Sequence, residues 1–191
     1  DGAITIRQGD FDAFFAAPLA AYGPESLYVS PLKGDLARFL DRRANPLFAD
    51  PGSDLDFFTV HRGDRIVGRI TAHVHAASNR LHGTNDAAFG YFDVADDADA
   101  AKALLDRAED WARARGHATI AGNFNLTAMQ QIGVLTDGFD HPPHTDQIWS
   151  PPHVARLLTE NGYVAEFGMA TALVDLAAPA PAVDAGEVAR I

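Results

Sequence analysis

Positions 89–116, FGYFDVADDADAAKALLDRAEDWARARG, constrain the chain most, because they specify a strand, an acidic turn and a long helix in one stretch. Ala101, Leu104, Leu105, Ala108, Trp111 and Ala112 recur at three- and four-residue spacing and form one apolar stripe on a 3.6-residue helix. Such a stripe needs a sheet to cover. Asp96 or Asp97 can cap the first amides, Asp99 adds negative charge to the first turn, and Arg113 and Arg115 precede Gly116 as a C′ residue. A helix from Ala98 to Arg115 would span about 27 Å at ~1.5 Å per residue, enough to cross a sheet once.

The rest of the chain supplies that sheet. AITIR from Ala3 alternates as an opening strand, and Asp10 caps a helix through FDAFFAAPLAAYG that Pro18 is expected to end or kink. LKGDLARFLDRR reads as a second helix with Leu32, Leu36, Phe39 and Leu40 on one face. Leu55–Val60 and Arg65–His75 make a hairpin about Gly63-Asp64, with Gly68 marking a bulge or a close backbone approach. Ser78–Asp86 reads as polar loop. After the long helix, ATIAGNFNL is a fifth strand, 127–152 a long Gly- and Pro-rich loop of functional type, His153–Asn161 a short helix, and Tyr163–Leu176 a closing strand. The Ala/Pro-rich 177–191 reads as a tail or linker after a domain at 1–176.

Composition narrows the partners. With 191 residues, 47% of them apolar, one core is the simplest expectation. A formal charge of −11 opposes non-specific binding to nucleic acid or an anionic membrane surface. Eight of the 15 basic residues nevertheless fall between positions 33 and 80 against six carboxylates, so that segment is net +2 and offers a local basic face to a small anion. The absence of cysteine excludes disulfides and thiolate chemistry. No apolar run approaches the ~18 residues of a membrane span and no signal peptide is visible, so a cytoplasmic location is expected. The first residue is Asp1, from which removal of a tag or upstream segment is expected.

The motifs NPLF, VGRITA, FGYFDVADD, WARARG, AGNFNLT, GVLTDGFDHPP and LLTENGY, read with the order of elements, resemble an uncharacterised bacterial family of the GNAT N-acyltransferase superfamily. The resemblance runs from about Tyr28 to Leu176. It implies an α/β (α+β) fold with a mixed, twisted sheet flanked by helices, and transfer of an acyl group from acetyl-CoA or a longer acyl-CoA to an amine. A lipid-like acceptor, as in bacterial ceramide synthases of GNAT type, suits the apolar loop residues. The resemblance also implies a homodimer or a second GNAT-like half as partner. It places the cofactor along Phe92, Val94, Asp96 and Asp97. Working GNAT enzymes cradle the CoA pyrophosphate in a Gly-rich turn at this helix N-terminus. Here the turn is DVADDAD, without glycine and with four carboxylates. One such repulsion at ~6 Å, with an effective dielectric near 20, is worth roughly 3 kcal/mol. The general-acid Tyr of many GNATs falls on Leu158.

Candidate chemistry follows from these positions. Asp93, near the end of the fourth strand, stands where GNATs often place a general base, and His153 is a second candidate for proton transfer. Backbone amides of the fourth strand would hold the acyl carbonyl. Asn125 and Asn123 lie after the fifth strand, where the sheet splays, and their amides can orient substrate or hold the following loop. Phe139, His144 and Trp149 would wall the acceptor pocket. His73 and His75 share a strand face and form an H-x-H pair, read as two polar residues on a half-exposed face, without the third ligand that zinc requires.

Overall fold

The computed structural model describes residues 2–127, 131–171 and 177. Its order is β1 (Ile4–Gln8), α1 (Phe11–Tyr22), α2 (Lys33–Leu40), a 3-10 turn (Pro46–Phe48), β2 (Asp54–Arg62), β3 (Arg65–Val74), α3 (Ala76–His82), β4 (Asp86–Val94), α4 (Ala98–Ala114), β5 (Thr119–Ala121) and α5 (Pro152–Glu160). Among the described residues the strands form one sheet in chain order. β1 to β4 are antiparallel, and β5 joins β4 in parallel.

Alternation on β3 divides the core in two. Ile70, Ala72 and Val74 face α4, whose Leu104, Leu105, Ala108 and Trp111 are buried with Phe58, Phe89, Phe92 and Leu157. The opposite face carries Arg69, Thr71 and His73, and there Phe14, Leu36, Leu40, Phe48, Leu55 and Tyr91 form a second cluster under α1 and α2. Asp97 caps α4 by accepting from the Ala100 amide at 3.1 Å, and Gly116 follows the helix with φ +84°. A Cβ on Gly68 would sit 2.8 Å from the Asp93 carbonyl and 3.1 Å from Leu104, so the expected close approach is present.

Four expectations are corrected. Of the two outcomes expected at Pro18, an end to the helix is ruled out, since α1 runs on to Tyr22. The carbonyl that its missing N–H leaves without a helical donor is that of Phe14, and Arg69 Nη1 donates to it at 3.1 Å. α3, Ala76–His82, runs into the expected polar loop at 78–86 and is closed by Gly83 at φ +66°. Its residues carry no apolar stripe because none of them is buried, so periodicity gave no signal. Leu32 and Phe39 do not share the burial of Leu36 and Leu40. Residues 163–171 form no strand, and Val164, Phe167 and Met169 are exposed. The rest of that expected strand, 172–176, and the tail at 178–191 lie outside the described residues.

Candidate functional site

The centre of the site is a bulge in β4. Arg69 pairs with Asp93 and Thr71 with Gly90, so β4 carries an extra residue, and Tyr91 takes φ +47°. The bulge reverses alternation: Ala87 and Phe89 before it share the α4 face with Phe92 and Val94 after it, while Tyr91 and Asp93 face α1. β4 and β5 pair only as far as Ala88 and Ala121 and then part. Two asparagines enter the gap. Asn125 Oδ1 accepts the Tyr91 amide at 2.7 Å and Asn123 Oδ1 the Phe92 amide at 3.2 Å. Their own amide groups donate to Gln131 Oε1 and the Gly133 carbonyl, which fastens the following loop to the splay.

Beside the bulge lies a buried charge network that sequence reasoning missed. Arg69 Nε donates to Asp93 Oδ2 at 2.7 Å, and the Tyr22 hydroxyl donates to Asp93 Oδ1 at 2.8 Å. The remaining Arg69 nitrogens reach the Phe14 carbonyl and the Tyr28 hydroxyl, and its guanidinium lies over the rings of Phe14 and Tyr91. Burial raises the Tyr22 pKa well above the phenol range, with the Asp93 charge as the next cause. Burial also raises Tyr28, opposed by Arg69, so its hydroxyl stays protonated near neutrality. Burial pushes Tyr91 up to about 12. The available signal was Arg69 itself, a charge at a position whose strand neighbours alternate inward.

A narrow cleft lies over this floor. Arg69 and Asp93 neutralise each other at its base. Its polar lining is otherwise uncharged, namely Tyr28, Asn123, Asn125, Gln131 and Gln147, and Val29, Pro31, Ile148 and Trp149 supply apolar wall. Asp93, Asn123, Asn125 and Trp149, named from sequence, therefore meet in one place. Trp149 packs edge-on to Tyr22 at 5.9 Å and donates Nε1 to the Phe139 carbonyl.

The other named residues lie elsewhere. His153 Nε2 is 2.8 Å from the Val94 carbonyl, which ties α5 to the end of β4. His144 is exposed, and Phe139 is half-buried outside the cleft lining. Phe92 and Val94 are buried against α4. Asp96 is exposed and pairs with Arg156. His73 is 1% exposed rather than on a half-exposed face, and burial, then His75, pushes its pKa down to about 3. His75 Nε2 meets the Leu126 carbonyl at 2.6 Å. Among the described residues no three His, Asp or Glu side chains converge as metal ligands.

The CoA seat implied by the fold does not fit these residues. Asp97 accepts from the first-turn amides of α4 and binds Arg62 through both oxygens at 2.7 Å, so its hydrogen bond with Arg62, opposed by partial burial, holds its carboxyl below the usual range. The helix N-terminus is thus occupied by the protein's own carboxylate, with Asp96 and Asp99 beside it. The bulge amides that would receive a carbonyl are taken by Asn123 and Asn125.

A bulged β4 parting from a parallel β5, preceded by an antiparallel run and followed by a long helix, defines the GNAT fold, and this chain has it. It is similar to an aminoglycoside acetyltransferase, meta-AAC0020, from an uncultured soil metagenomic sample, solved with sisomicin. The TM-score is 0.52 at 12% identity, covering 91% of this chain and 96% of that one. No protein-family model matches. In sequence the chain is 30% identical over 161 residues to protein YghO of Escherichia coli, covering 83% of this chain and 40% of that protein. It is 32% identical over 151 residues to the bacterial ceramide synthase of Caulobacter vibrioides, covering 78% and 39%. The chain thus spans about two fifths of the length of these curated relatives. Among the described residues no helix is long and apolar enough to cross a membrane.

Proposed function

We propose that this domain serves the transfer of an acyl group from a thioester to an amine, and that its own part is to seat the acceptor in the cleft over the β4 bulge. The carrying observation is that cleft, where uncharged amides and the Tyr28 hydroxyl face an apolar wall of Val29, Ile148 and Trp149. Such a lining suits a neutral amine with hydroxyl groups and an apolar body, such as a long-chain amino alcohol. Likeness to a ceramide synthase supports the same class of acceptor. Tyr28 accepts from Arg69 and is kept protonated by burial, so its hydroxyl can donate a hydrogen bond to a hydroxyl of the acceptor. Asp93 is less suited to take a proton from the amine, since each carboxylate oxygen already accepts a hydrogen bond. No residue is assigned to the CoA portion of a donor, because the usual seat is filled.

That filled seat favours a second reading, a catalytically silent GNAT-like module that binds the ligand or a partner domain. Calorimetry with a long-chain amino alcohol and with an acyl-CoA, followed by mass spectrometry for the amide product, separates the two. Acceptor binding that Trp149→Ala abolishes, with amide formed, supports acyl transfer. Acceptor binding without product supports the silent module. No binding of either compound overturns acyl transfer and the ligand-binding form of the module.

A further inference from the structure

The cleft over the β4 bulge offers a ligand no free positive charge. Apart from Arg69, Tyr91 and Asp93, its lining comes from two stretches of chain, 28–31 and 123–149. Neither these nor their flanks, out to 20–32 and 116–155, contain a Lys or Arg, while they carry Glu25, Asp137, Asp140 and Asp146. All four carboxylates are exposed. Among the described residues no histidine lines the cleft. Its one cation, Arg69, is 2% exposed, and each of its nitrogens already donates, to Asp93, the Phe14 carbonyl and the Tyr28 hydroxyl. Lys33 follows the first stretch but turns to α1, where it pairs with Asp12 and lies over the Phe11 and Phe15 rings. Backbone amides do not make up the difference. Those of Tyr91 and Phe92 hold the asparagines, and α5, which follows Trp149, opens on Pro151 and Pro152, neither of which has an N–H for an anion.

We propose that the cleft admits an amino alcohol with a free hydroxyl and rejects its phosphate monoester, so that any phosphoryl group is removed before acylation or added after it. This rests on the acceptor reading above and narrows its substrate class. A phosphate monoester carries close to two negative charges near neutrality. On entering the cleft it would give up hydration without gaining a guanidinium or ammonium partner. The exposed carboxylates of the same two stretches add repulsion. A hydroxyl loses little, because Tyr28 and the lining amides exchange hydrogen bonds with it. The reaction that supplies the acceptor is then one that leaves a free hydroxyl, such as hydrolysis of a phosphate ester, and phosphorylation, where it occurs, follows on the amide.

Calorimetry at about pH 8 with aminodecanol, amine and hydroxyl on neighbouring carbons, its phosphate monoester and its isopropyl ether tests this. The phosphate is dianionic there, and the ether has similar bulk without charge. We expect the phosphate to bind at least about tenfold more weakly than either the alcohol or the ether. Gln147→Arg, which sets a guanidinium on the lining at an exposed position, should strengthen phosphate binding at least about tenfold. Phosphate binding within tenfold of the alcohol overturns the proposal. So does rejection of the ether equal to that of the phosphate, which would make the cleft a filter of size. A folded Gln147→Arg variant, by circular dichroism, that binds the phosphate no better overturns it too. Failure of the unmodified alcohol to bind is a separate result, which overturns the acceptor reading and this narrowing with it.

Discussion

Arg69 and Asp93 meet at 2.7 Å between adjacent strands with side chains 2% and 10% exposed, so the floor of the cleft is a closed ion pair. Removing one partner strands the other charge in the core. Asp93→Leu or Arg69→Met alone should each cost about 3–5 kcal/mol, whereas the two replacements together should cost much less. Urea unfolding of the set measures the difference, and additive losses would contradict a coupled pair.

Pro18 sits inside α1 where a helix proline ordinarily costs about 3 kcal/mol. The Phe14 carbonyl it exposes already has a charged donor in Arg69. Pro18→Ala should therefore gain less than about 1 kcal/mol by thermal or urea unfolding. A gain near the full helix penalty would mean that the Arg69 contact contributes little.

Asn123 and Asn125 hold the bulge amides. In the double alanine variant, hydrogen exchange at Tyr91 and Phe92 should speed up at least tenfold, with a stability loss of about 1–3 kcal/mol for each freed amide. Unchanged protection would show that other groups satisfy those amides.

His73 gives the protein an acid limit. Its ordinary pKa of 6.5 applies in the unfolded chain and about 3 in the folded one. Between these values the unfolded state binds more protons, so the stabilisation is fully present above about pH 6.5 and is lost as pH falls. The slope should reach about 1.4 kcal/mol per pH unit at most. Urea midpoints from pH 7.5 to 4.5 check this, and His73→Phe should flatten the profile.

Gly90 permits the splay, since a Cβ there would lie 1.8 Å from the Phe124 carbonyl. Gly90→Ala should be worse than Gly68→Ala, whose nearest backbone contact is 2.8 Å. Differential scanning calorimetry should rank them in that order, each at least 1–3 kcal/mol below the wild type.

Periodicity and capping, both local, were enough to read α4, an aspartate cap at 96 or 97, the β2–β3 hairpin and a bulge or close approach at Gly68; the structure decided for Asp97 and the close approach. Motif order carried the fold class with them. α3 was illegible because it buries nothing, and over its described residues, 163–171, the expected strand after Tyr163 forms no ladder because alternation alone supplies no partner. Of the eleven candidate positions, only Asp93, Asn123, Asn125 and Trp149 line the one cleft, and neither that grouping nor what each one does was legible. Only the tertiary structure brought Arg69 to Asp93 and to the carbonyl freed by Pro18, and turned two asparagines onto the bulge amides. The physical reason is that pattern and propensity act over a few residues. The state of a buried charge or amide is instead set by partners up to 71 residues away, as for Tyr22 and Asp93.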